Sequence, residues 1–349
     1  MLNLHSLNVH DDFFARGGHS LHAVQLLAGV RTEFGRELSP AELFLAPTVA
    51  TQATLLRESK GAARTVLVPL NARGERPPLF LVHPVGGHVV CYVELARHLG
   101  RDQPVHAFQA VPETQHIETF EALATRYVEE MRRVQPSGPY FIGGWSLGGV
   151  VAFEMARQLE AAGQAVSGLV LIDSLPGSTL PQPQGNREEW LFRLLVDDMQ
   201  GWAGASLGLD PADLAAMTDG SWAEPLLAAL KQQGAMPDGF GPDDLRALVA
   251  VYRRNVLAFV DYVPGTYPGR VLLATASDSE RALAADGGDV LQIWSSVAQG
   301  GVEHLSLDTD HYGIVQGEPV QRLAEWLKEY LGEPALAGAR NDGEAAGHD

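Results

Sequence analysis

Short apolar runs alternate with amphipathic stretches over residues 66–332. The runs have the length and the continuous apolar character of buried strands. They lie at 66–70, 79–82, 104–110, directly before Ser146, and at 166–172, 270–274 and 302–305. Helical spacing is found between them, at 92–99, 118–134, from Ser146 to about 162, and at 318–331. Because strands that alternate with helices pair mainly in parallel, the pattern predicts one α/β domain with a mainly parallel sheet.

A helical insertion interrupts this alternation at about residues 176–264. Four segments within it have helical spacing, at 187–200, 211–217, 223–233 and 243–259. They carry large apolar residues that look exposed: Trp190, Leu194, Trp202, Trp222, Leu226 and Leu230. Lids over active sites need apolar undersides and mobile ends. We therefore predict a lid; the alternative is a structural excursion that fills one side of the sheet.

Residues 1–58 predict a small helical unit. Leu21, Val24, Leu27 and Phe34 recur at helical intervals, and shorter helical stretches are predicted at 40–45 and 48–57. Few of its side chains are large, so its core should be marginal. Residues 59–66 are short, polar and small, which is typical of a linker. Residues 333–349 are rich in Gly, Ala, Asp and Glu and predict a disordered tail.

Composition limits the function classes. The formal net charge of −18 argues against nucleic-acid binding, because phosphate contacts need a basic surface. The one cysteine, Cys91, excludes an intrachain disulfide and fits a reducing compartment. No apolar run approaches the length of a membrane span, and the first ten residues lack the pattern of a signal peptide. We expect a cytoplasmic protein with no nucleic-acid and no membrane partner.

The segment Gly144-Trp145-Ser146-Leu147-Gly148 has the G-x-S-x-G pattern between a predicted strand and a predicted helix. A serine on such a sharp turn is lifted clear of the sheet, and the glycines permit the strained backbone and the close approach of the helix. In this context we predict that Ser146 is a nucleophile rather than an ordinary turn serine.

A serine hydroxyl needs a general base and an acid that orients the base. His311 lies between the last predicted strand and the last predicted helix, and we predict that it is the base. His304 competes for this role, but it lies in a strand-like alternation. Asp173 and Asp278 each follow a predicted strand, where open α/β sheets place their sites. Position alone does not decide between these two acids.

Two backbone N–H groups are predicted to form the oxyanion hole. Leu147 follows the nucleophile directly, and Val85 lies in the glycine-containing loop 83–87 after an early strand. The alternative for this loop is a plain turn. It lacks the helix-opening lysine of a phosphate-binding loop, and no metal is expected at the site.

The stretch Asp12-Phe13-Phe14-Ala15-Arg16-Gly17-Gly18-His19-Ser20-Leu21 resembles the thiolation (peptidyl carrier) domain of nonribosomal peptide synthetases. In that family the serine of Gly-Gly-His-Ser-Leu carries a 4′-phosphopantetheine arm, which the resemblance places on Ser20 and which a phosphopantetheinyl transferase would attach. The phosphodiester would lie at a helix N-terminus, which favours negative charge. The alternative is that Ser20 only caps the helix. Arg16 and the late start of the chain depart from the family pattern and predict a truncated first helix.

Residues 78–331 resemble a type I thioesterase domain, the chain-releasing unit that ends many peptide and polyketide assembly lines. The match is carried by residues 80–87, 143–149, 170–174 and 310–312. The family acid follows the strand that Asp173 ends, which favours Asp173 over Asp278, and the family has a helical lid after it. The two resemblances together imply a small all-α carrier domain (1–58) followed by an α/β-hydrolase domain (67–332) with a mainly parallel sheet and a lid insertion.

This order implies the release step of a nonribosomal peptide or hybrid peptide/polyketide line. Upstream condensation and adenylation domains would deliver the chain to Ser20, and Ser146 would accept it before hydrolysis or macrocyclisation. Two alternatives stay open at this point. One is a general carboxylesterase or lipase with an unrelated helical leader, and the other is a docking module with an inactive hydrolase fold.

Overall fold

The computed structural model describes residues 8–14, 16, 18, 20–36, 38, 42–43, 46–58, 65–111, 114, 116–176, 179, 185–236 and 239–331. The strands are β1 (Leu67–Asn71), β2 (Leu79–Val82), β3 (Val105–Phe108), β4 (Tyr140–Trp145), β5 (Val166–Ile172), β6 (Val271–Ala276) and β7 (Val302–Leu307). The helices are α1 (Ser20–Phe34), α2 (Val49–Glu58), α3 (Val93–Leu99), α4 (Phe120–Val134), α5 (Leu147–Ala161), α6 (Arg187–Ala203), α7 (Pro211–Ala216), α8 (Ala223–Gln232), α9 (Pro242–Asp261), α10 (Ser277–Ala285), α11 (Val290–Ser295) and α12 (Gly317–Leu331). None of these helices combines the length and the apolar character needed to cross a membrane.

The seven strands form one sheet in the order β1-β3-β2-β4-β5-β6-β7. Strand β1 pairs with β3 in antiparallel fashion, and all other neighbours in the sheet are parallel. Every residue of β2, β4 and β6 is buried, because helices cover both faces. The predicted mainly parallel sheet is therefore confirmed.

Two hydrophobic clusters lie on opposite faces of this sheet. One contains the inner faces of α4 and α5, and the other contains those of α3 and α12. Because β2, β4, β5 and β7 run in the same direction, the loops that follow them meet at one edge. That edge holds Val85, Ser146, Asp173 and His311.

Helix α5 begins directly over the end of β2. A Cβ atom at Gly148 would lie 2.2 Å from the Val82 carbonyl oxygen and 2.7 Å from that of His83. Both contacts are with backbone, which cannot rotate away. Glycine at this position therefore lets the helix that follows Ser146 approach the strand that precedes Val85.

A buried histidine anchors the loop after β2. His83 Nδ1 donates to the Pro84 carbonyl oxygen at 2.7 Å, so the Tyr127 hydroxyl on α4 donates to Nε2, at 2.8 Å. Burial lowers the pKa of His83 to about 4, and the ring is neutral. The loop is thus tied to α4 by a buried histidine whose burial disfavours its protonated form.

The four helices α6–α9 lie between β5 and β6, as predicted for the insertion. The prediction that their large apolar residues are exposed is wrong. Leu226 and Leu230 are fully buried in an apolar cluster of the insertion. Four other residues are partly buried and pack against this cluster: Trp190, Leu194, Trp202 and Trp222. The insertion has a hydrophobic core of its own, because helices that cover each other bury both apolar faces.

The described part of the N-terminal unit contacts the main domain through an apolar cluster and through polar side chains of α1. Phe13, Phe14, Ala23 and Leu43 form a cluster that includes Val90 and Val93 of the main domain. Arg31 on α1 donates to both carboxylate oxygens of Asp244 on α9, at 2.8 and 2.6 Å. The predicted linker, except residues 65–66, lies outside the described residues, as do the predicted tail and most of the predicted helix 40–45.

Substituting Gly148 tests the approach of α5 to β2. We expect Gly148→Ala to lower the free energy of unfolding by about 3 kcal/mol, because the added methyl group overlaps backbone oxygens. The measurement is urea unfolding followed by circular dichroism. Gly29→Ala is the matched control, since no described atom outside the backbone of its own helix lies within 4 Å of the new Cβ, and alanine favours a helix. Equal effects of the two variants would contradict the close approach.

The neutral state of His83 predicts a pH-dependent stability. The folded chain binds this proton more weakly than the unfolded chain, whose histidine has a pKa near 6.5. The stabilisation is therefore complete above pH 6.5 and is lost as the pH falls toward 4, by about 3 kcal/mol. Urea unfolding at a series of pH values measures it. His83→Gln, which cannot be protonated, should lack this component; an unchanged pH dependence in the variant would refute the assignment.

Candidate active site

Ser146 lies on the turn between β4 and α5, with φ 57° and ψ −131°. Its N–H donates to the Ile172 carbonyl oxygen on β5 at 2.8 Å, which holds the turn in place. Asp173, with φ 42°, is the other non-glycine residue with a positive φ in the described part of the chain. Strained backbone of this kind persists where the surrounding structure fixes it, and it clusters at functional sites.

His311 forms a hydrogen bond with Asp173. The distance from His311 Nδ1 to Asp173 Oδ2 is 2.6 Å, and the Asp173 side chain is 4% exposed. Since the carboxylate accepts the Nδ1 proton, a neutral ring carries its lone pair on Nε2, as a general base requires. The arrangement thus has the geometry that a base and its orienting group need, as predicted for His311 and Asp173.

Two further donors hold the Asp173 carboxylate. The Ala276 N–H donates to Oδ1 at 2.9 Å, and the Ser279 hydroxyl donates to Oδ2 at 2.6 Å. Both donors come from the region where β6 ends and α10 begins. Reasoning from the sequence missed Ser279, because one serine in a short polar helix start carries no recognisable signal.

The competing acid and the competing base lie elsewhere. Asp278 forms an ion pair with Arg281 one turn along α10, and its side chain is 52% exposed. His304 lies on β7, where Nε2 is 2.7 Å from the Thr275 hydroxyl and 3.1 Å from a Glu280 oxygen. The structure therefore brings Asp173 to His311, and it places Asp278 and His304 in separate polar contacts.

The loop that carries His311 contacts both the Ser146 turn and the insertion. Trp145 Nε1 donates to the His311 carbonyl oxygen at 3.1 Å, and the two rings lie 5.0 Å apart. The Tyr312 hydroxyl donates to Asp198 Oδ1 on α6 at 2.5 Å. Burial raises the pKa of Asp198, while its bond to Tyr312 opposes that effect. The position of His311, the predicted base, thus depends on one of the inserted helices.

The two predicted oxyanion donors follow neighbouring strands. Leu147 is the first residue of α5, and the first N–H groups of a helix have no acceptor within the helix. Val85 follows β2, which pairs with β4. The Val85 carbonyl oxygen accepts from Asn255 Nδ2 on α9 at 2.7 Å. Sequence reasoning did not identify Asn255, because a single polar position on an amphipathic helix is not a signal.

Helix α1 begins at Ser20, as predicted. The side chain of Ser20 lies outside what the structure describes, whereas the loop before it is partly described. Gly18 N–H donates to the Phe13 carbonyl oxygen at 2.9 Å, and a Cβ at Gly18 would lie 2.5 Å from the Phe13 ring. A serine at the start of a helix lies beside free backbone N–H groups, which suit the phosphodiester of a phosphopantetheine arm.

Two family models match the chain. The thioesterase domain matches residues 77–330, and the phosphopantetheine attachment site matches residues 1–56. The second match confirms the predicted 4′-phosphopantetheine cofactor, while Ser20 as the residue that carries it stays a prediction.

Similar proteins include large synthetases. The chain is 35% identical, over 95% of its length, to a dimodular nonribosomal peptide synthase of Bacillus subtilis, and it spans 14% of that protein. It is 31% identical to a probable non-canonical nonribosomal peptide synthetase of Salinispora arenicola, again over 95% of its length, and spans 4% of that protein. The chain thus corresponds to a small part of these relatives.

Solved structures show the same similarity to nonribosomal peptide synthetases and their thioesterase domains. A holo four-domain nonribosomal peptide synthetase bound to AMP and glycine has a TM-score of 0.71 and 32% identity, covering 95% of this chain and 25% of that one. The NocB thioesterase domain, in covalent complex with a fluorophosphonate nocardicin G analog, has a TM-score of 0.54 and 27% identity. This match covers 77% of this chain and 100% of that domain, and it confirms the predicted α/β-hydrolase fold.

The alternating strand pattern, the turn at Ser146 and the family matches lead to one assignment. Residues 77–330 match one family and residues 1–56 the other, and the two matches are consecutive. The chain belongs to the thioesterase domain family and carries a phosphopantetheine attachment unit before that domain, as in the carrier–thioesterase pair of nonribosomal peptide synthetases.

Proposed function

We propose that this chain releases a peptidyl or acyl chain from a 4′-phosphopantetheine arm on Ser20 by transfer to Ser146, followed by hydrolysis or macrocyclisation. One observation carries the proposal: Ser146 lies on a strained turn at the sheet edge that also holds the hydrogen-bonded His311–Asp173 pair. The attachment unit in the same chain supports a tethered thioester as the substrate.

The proposed first step forms an ester on Ser146. The arm, when attached, presents the acyl group as a thioester. His311 Nε2 takes the Ser146 proton while Oγ attacks the thioester carbonyl, and Asp173 stabilises the charged imidazole. The N–H groups of Leu147 and Val85 donate to the oxyanion. The carbon–sulfur bond then breaks, and His311 returns the proton to the departing sulfur.

The second step frees the acyl group. His311 takes a proton from a water molecule, or from an amine or hydroxyl of the acyl chain itself, and this nucleophile attacks the ester carbonyl. The same two N–H groups stabilise the second oxyanion. The ester bond breaks, His311 protonates Ser146 Oγ, and the product leaves as an acid or as a ring. The inserted helices set how well water is excluded.

We also propose that the chain works downstream of other synthetase domains. Its similarity to nonribosomal peptide synthetases many times its length supports condensation and adenylation domains as the source of the acyl chain. A phosphopantetheinyl transferase would attach the arm. We propose the boundaries 1–58 for the carrier, 59–66 for the linker, 67–332 for the thioesterase with a lid at about 176–264, and 333–349 for the tail.

Replacing each candidate acid tests the assignment of Asp173. We expect Asp173→Asn to lower kcat for a synthetic peptidyl thioester by about 10⁴-fold, because the base loses the partner that orients it and stabilises its charge. Asp278→Asn is the matched control and should retain wild-type kcat, since Asp278 pairs with Arg281 instead. Product formation followed by mass spectrometry measures both. A large loss in the Asp278 variant alone would overturn the assignment.

Loading the arm tests the proposed transfer. Incubation with an acyl-coenzyme A and a phosphopantetheinyl transferase should add the acyl arm to Ser20, and wild type should then discharge it. Ser146→Ala should keep its acyl group, with a discharge rate at least about 10³-fold lower. Intact-protein mass spectrometry measures loading and discharge. Ser20→Ala should not load, and Ser295→Ala, at an exposed position on α11, is the matched control for Ser146→Ala.

Three outcomes contradict the proposal in different ways. Discharge of Ser146→Ala at the wild-type rate excludes Ser146 as the acceptor. No mass gain at Ser20, together with hydrolysis of simple esters, favours a general carboxylesterase. Failure of a fluorophosphonate to label Ser146 in the wild type favours an inactive docking module; the NocB domain, in contrast, forms a covalent complex with such a compound.

A further inference from the structure

A buried amide joins helix α9 of the insertion to the predicted oxyanion loop. Asn255 is 1% exposed, and its Nδ2 donates to the Val85 carbonyl oxygen at 2.7 Å. Val85 is the residue whose N–H is proposed to bind the oxyanion. The peptide plane that follows this N–H is therefore held by a side chain from the insertion rather than by the sheet.

Arg254 fixes the orientation of this amide. Its Nε and Nη2 both donate to Asn255 Oδ1, at 3.2 and 2.7 Å, so the amide nitrogen must face Val85. Arg254 Nη1 donates to the Thr114 carbonyl oxygen at 2.7 Å. All of these acceptors are uncharged. A guanidinium that donates its hydrogen bonds to an amide oxygen and a peptide carbonyl oxygen orients these groups and does not neutralise an acid.

The two ends of the loop are held independently of Asn255. At its start, His83 bonds to Tyr127. At its end, the Ala110 N–H donates to the Gly87 carbonyl oxygen at 2.8 Å. A Cβ at Gly87 would also lie 2.7 Å from the Val251 side chain on α9, which shows how closely this helix covers the loop. Asn255 therefore acts on the middle of a loop whose ends are already fixed.

We propose that Asn255 is a positioning residue for the release reaction. The peptide that carries the Val85 N–H is held at the Pro84 carbonyl oxygen by His83 Nδ1 and the Gly87 N–H. Asn255 fixes the peptide that follows, through the Val85 carbonyl oxygen. It thereby keeps the Val85 N–H directed at the developing oxyanion, and Arg254 keeps the amide in the productive orientation. The inference rests on the proposed function. Its consequence is that the oxyanion hole is complete only while α9 lies against the loop.

A purely structural role would give a different result. A buried amide that only stabilises the fold affects unfolding and leaves the chemical step unchanged. Gln103 supplies this comparison: it is 2% exposed, and its Nε2 donates to the carbonyl oxygens of Pro77 and Pro104, at 2.8 and 3.1 Å. It precedes β3, at the end of the sheet opposite to Ser146.

The experiment replaces each amide by the carboxylate of the same shape in the full chain. Asn255→Asp keeps an acceptor for Arg254 but removes the donor to Val85, and Gln103→Glu is the matched control. A soluble peptidyl thioester gives kcat and KM. A peptidyl boronic acid, which forms a tetrahedral adduct with serine and places an oxygen in the oxyanion hole, gives an inhibition constant. Urea unfolding confirms that each variant is folded at the assay temperature.

We expect Asn255→Asp to lower kcat by about 10- to 100-fold with KM changed by less than about 2-fold, because the lost interaction belongs to the transition state. Boronate binding should weaken by the same factor as kcat. Arg254→Gln, at a partly exposed position, should lower kcat by about 3- to 10-fold. The double variant should lose less than the product of the two single losses, since both changes act on one amide. Gln103→Glu should keep kcat and boronate affinity.

Two results would overturn the inference in distinguishable ways. If folded Asn255→Asp matches wild type in kcat and boronate affinity, or if its loss equals that of Gln103→Glu, then Asn255 has a structural role only. If Asn255→Asp does not fold, Arg254→Gln with wild-type kcat and boronate affinity likewise leaves Asn255 a structural role only. A wild-type chain that neither hydrolyses the thioester nor binds the boronate contradicts the proposed function, and the inference is lost with it.

Discussion

The contact between the start of α5 and the end of β2 is the constraint on which the site depends. Gly148 has no room for a side chain beside the Val82 carbonyl oxygen, and the chain turns sharply at Ser146, with a positive φ, to enter the helix at this distance. The same contact brings the N-terminus of α5 beside the loop of Val85. One packing requirement therefore lifts Ser146, the proposed nucleophile, from the sheet and brings both predicted oxyanion donors to the same edge.

The strained backbone conformations at this edge are stabilised by hydrogen bonds from several elements. The turn at Ser146 is held by β5, and the strained Asp173 is held by donors at the β6–α10 junction and by His311. Each contact contributes modestly: about 1 kcal/mol net for the bond between two peptide groups at Ser146, and about 1.5–3 kcal/mol for each bond to the Asp173 carboxylate. Together they define one geometry, which explains why the candidate site residues come from loops that are distant in the sequence.

Much of this could be predicted from the sequence, for a physical reason. Buried parallel strands and amphipathic helices leave continuous or periodic apolar patterns, and the turn at Ser146 needs glycines at fixed positions. Helices α10 and α11 were not predicted, since both are short and α10 buries none of its side chains. Position in the sequence made Asp173 and Asp278 equally good candidates for the acid. The difference between them is a hydrogen bond to His311 across 138 residues, which no local pattern encodes.

The wrong prediction that the inserted helices expose their large apolar residues has the same cause, since a local pattern does not encode long-range contacts. A helix-period pattern shows that a face is apolar, but it does not show what covers that face. The helices cover each other, and their polar positions make the contacts with the site: Asp198 with Tyr312, and Asn255 with Val85. Helix α9 also contacts the carrier unit through Asp244, about 16 Å along its axis from Asn255. Because a helix is stiff over three turns, the attachment unit and the oxyanion loop both contact the same rigid element.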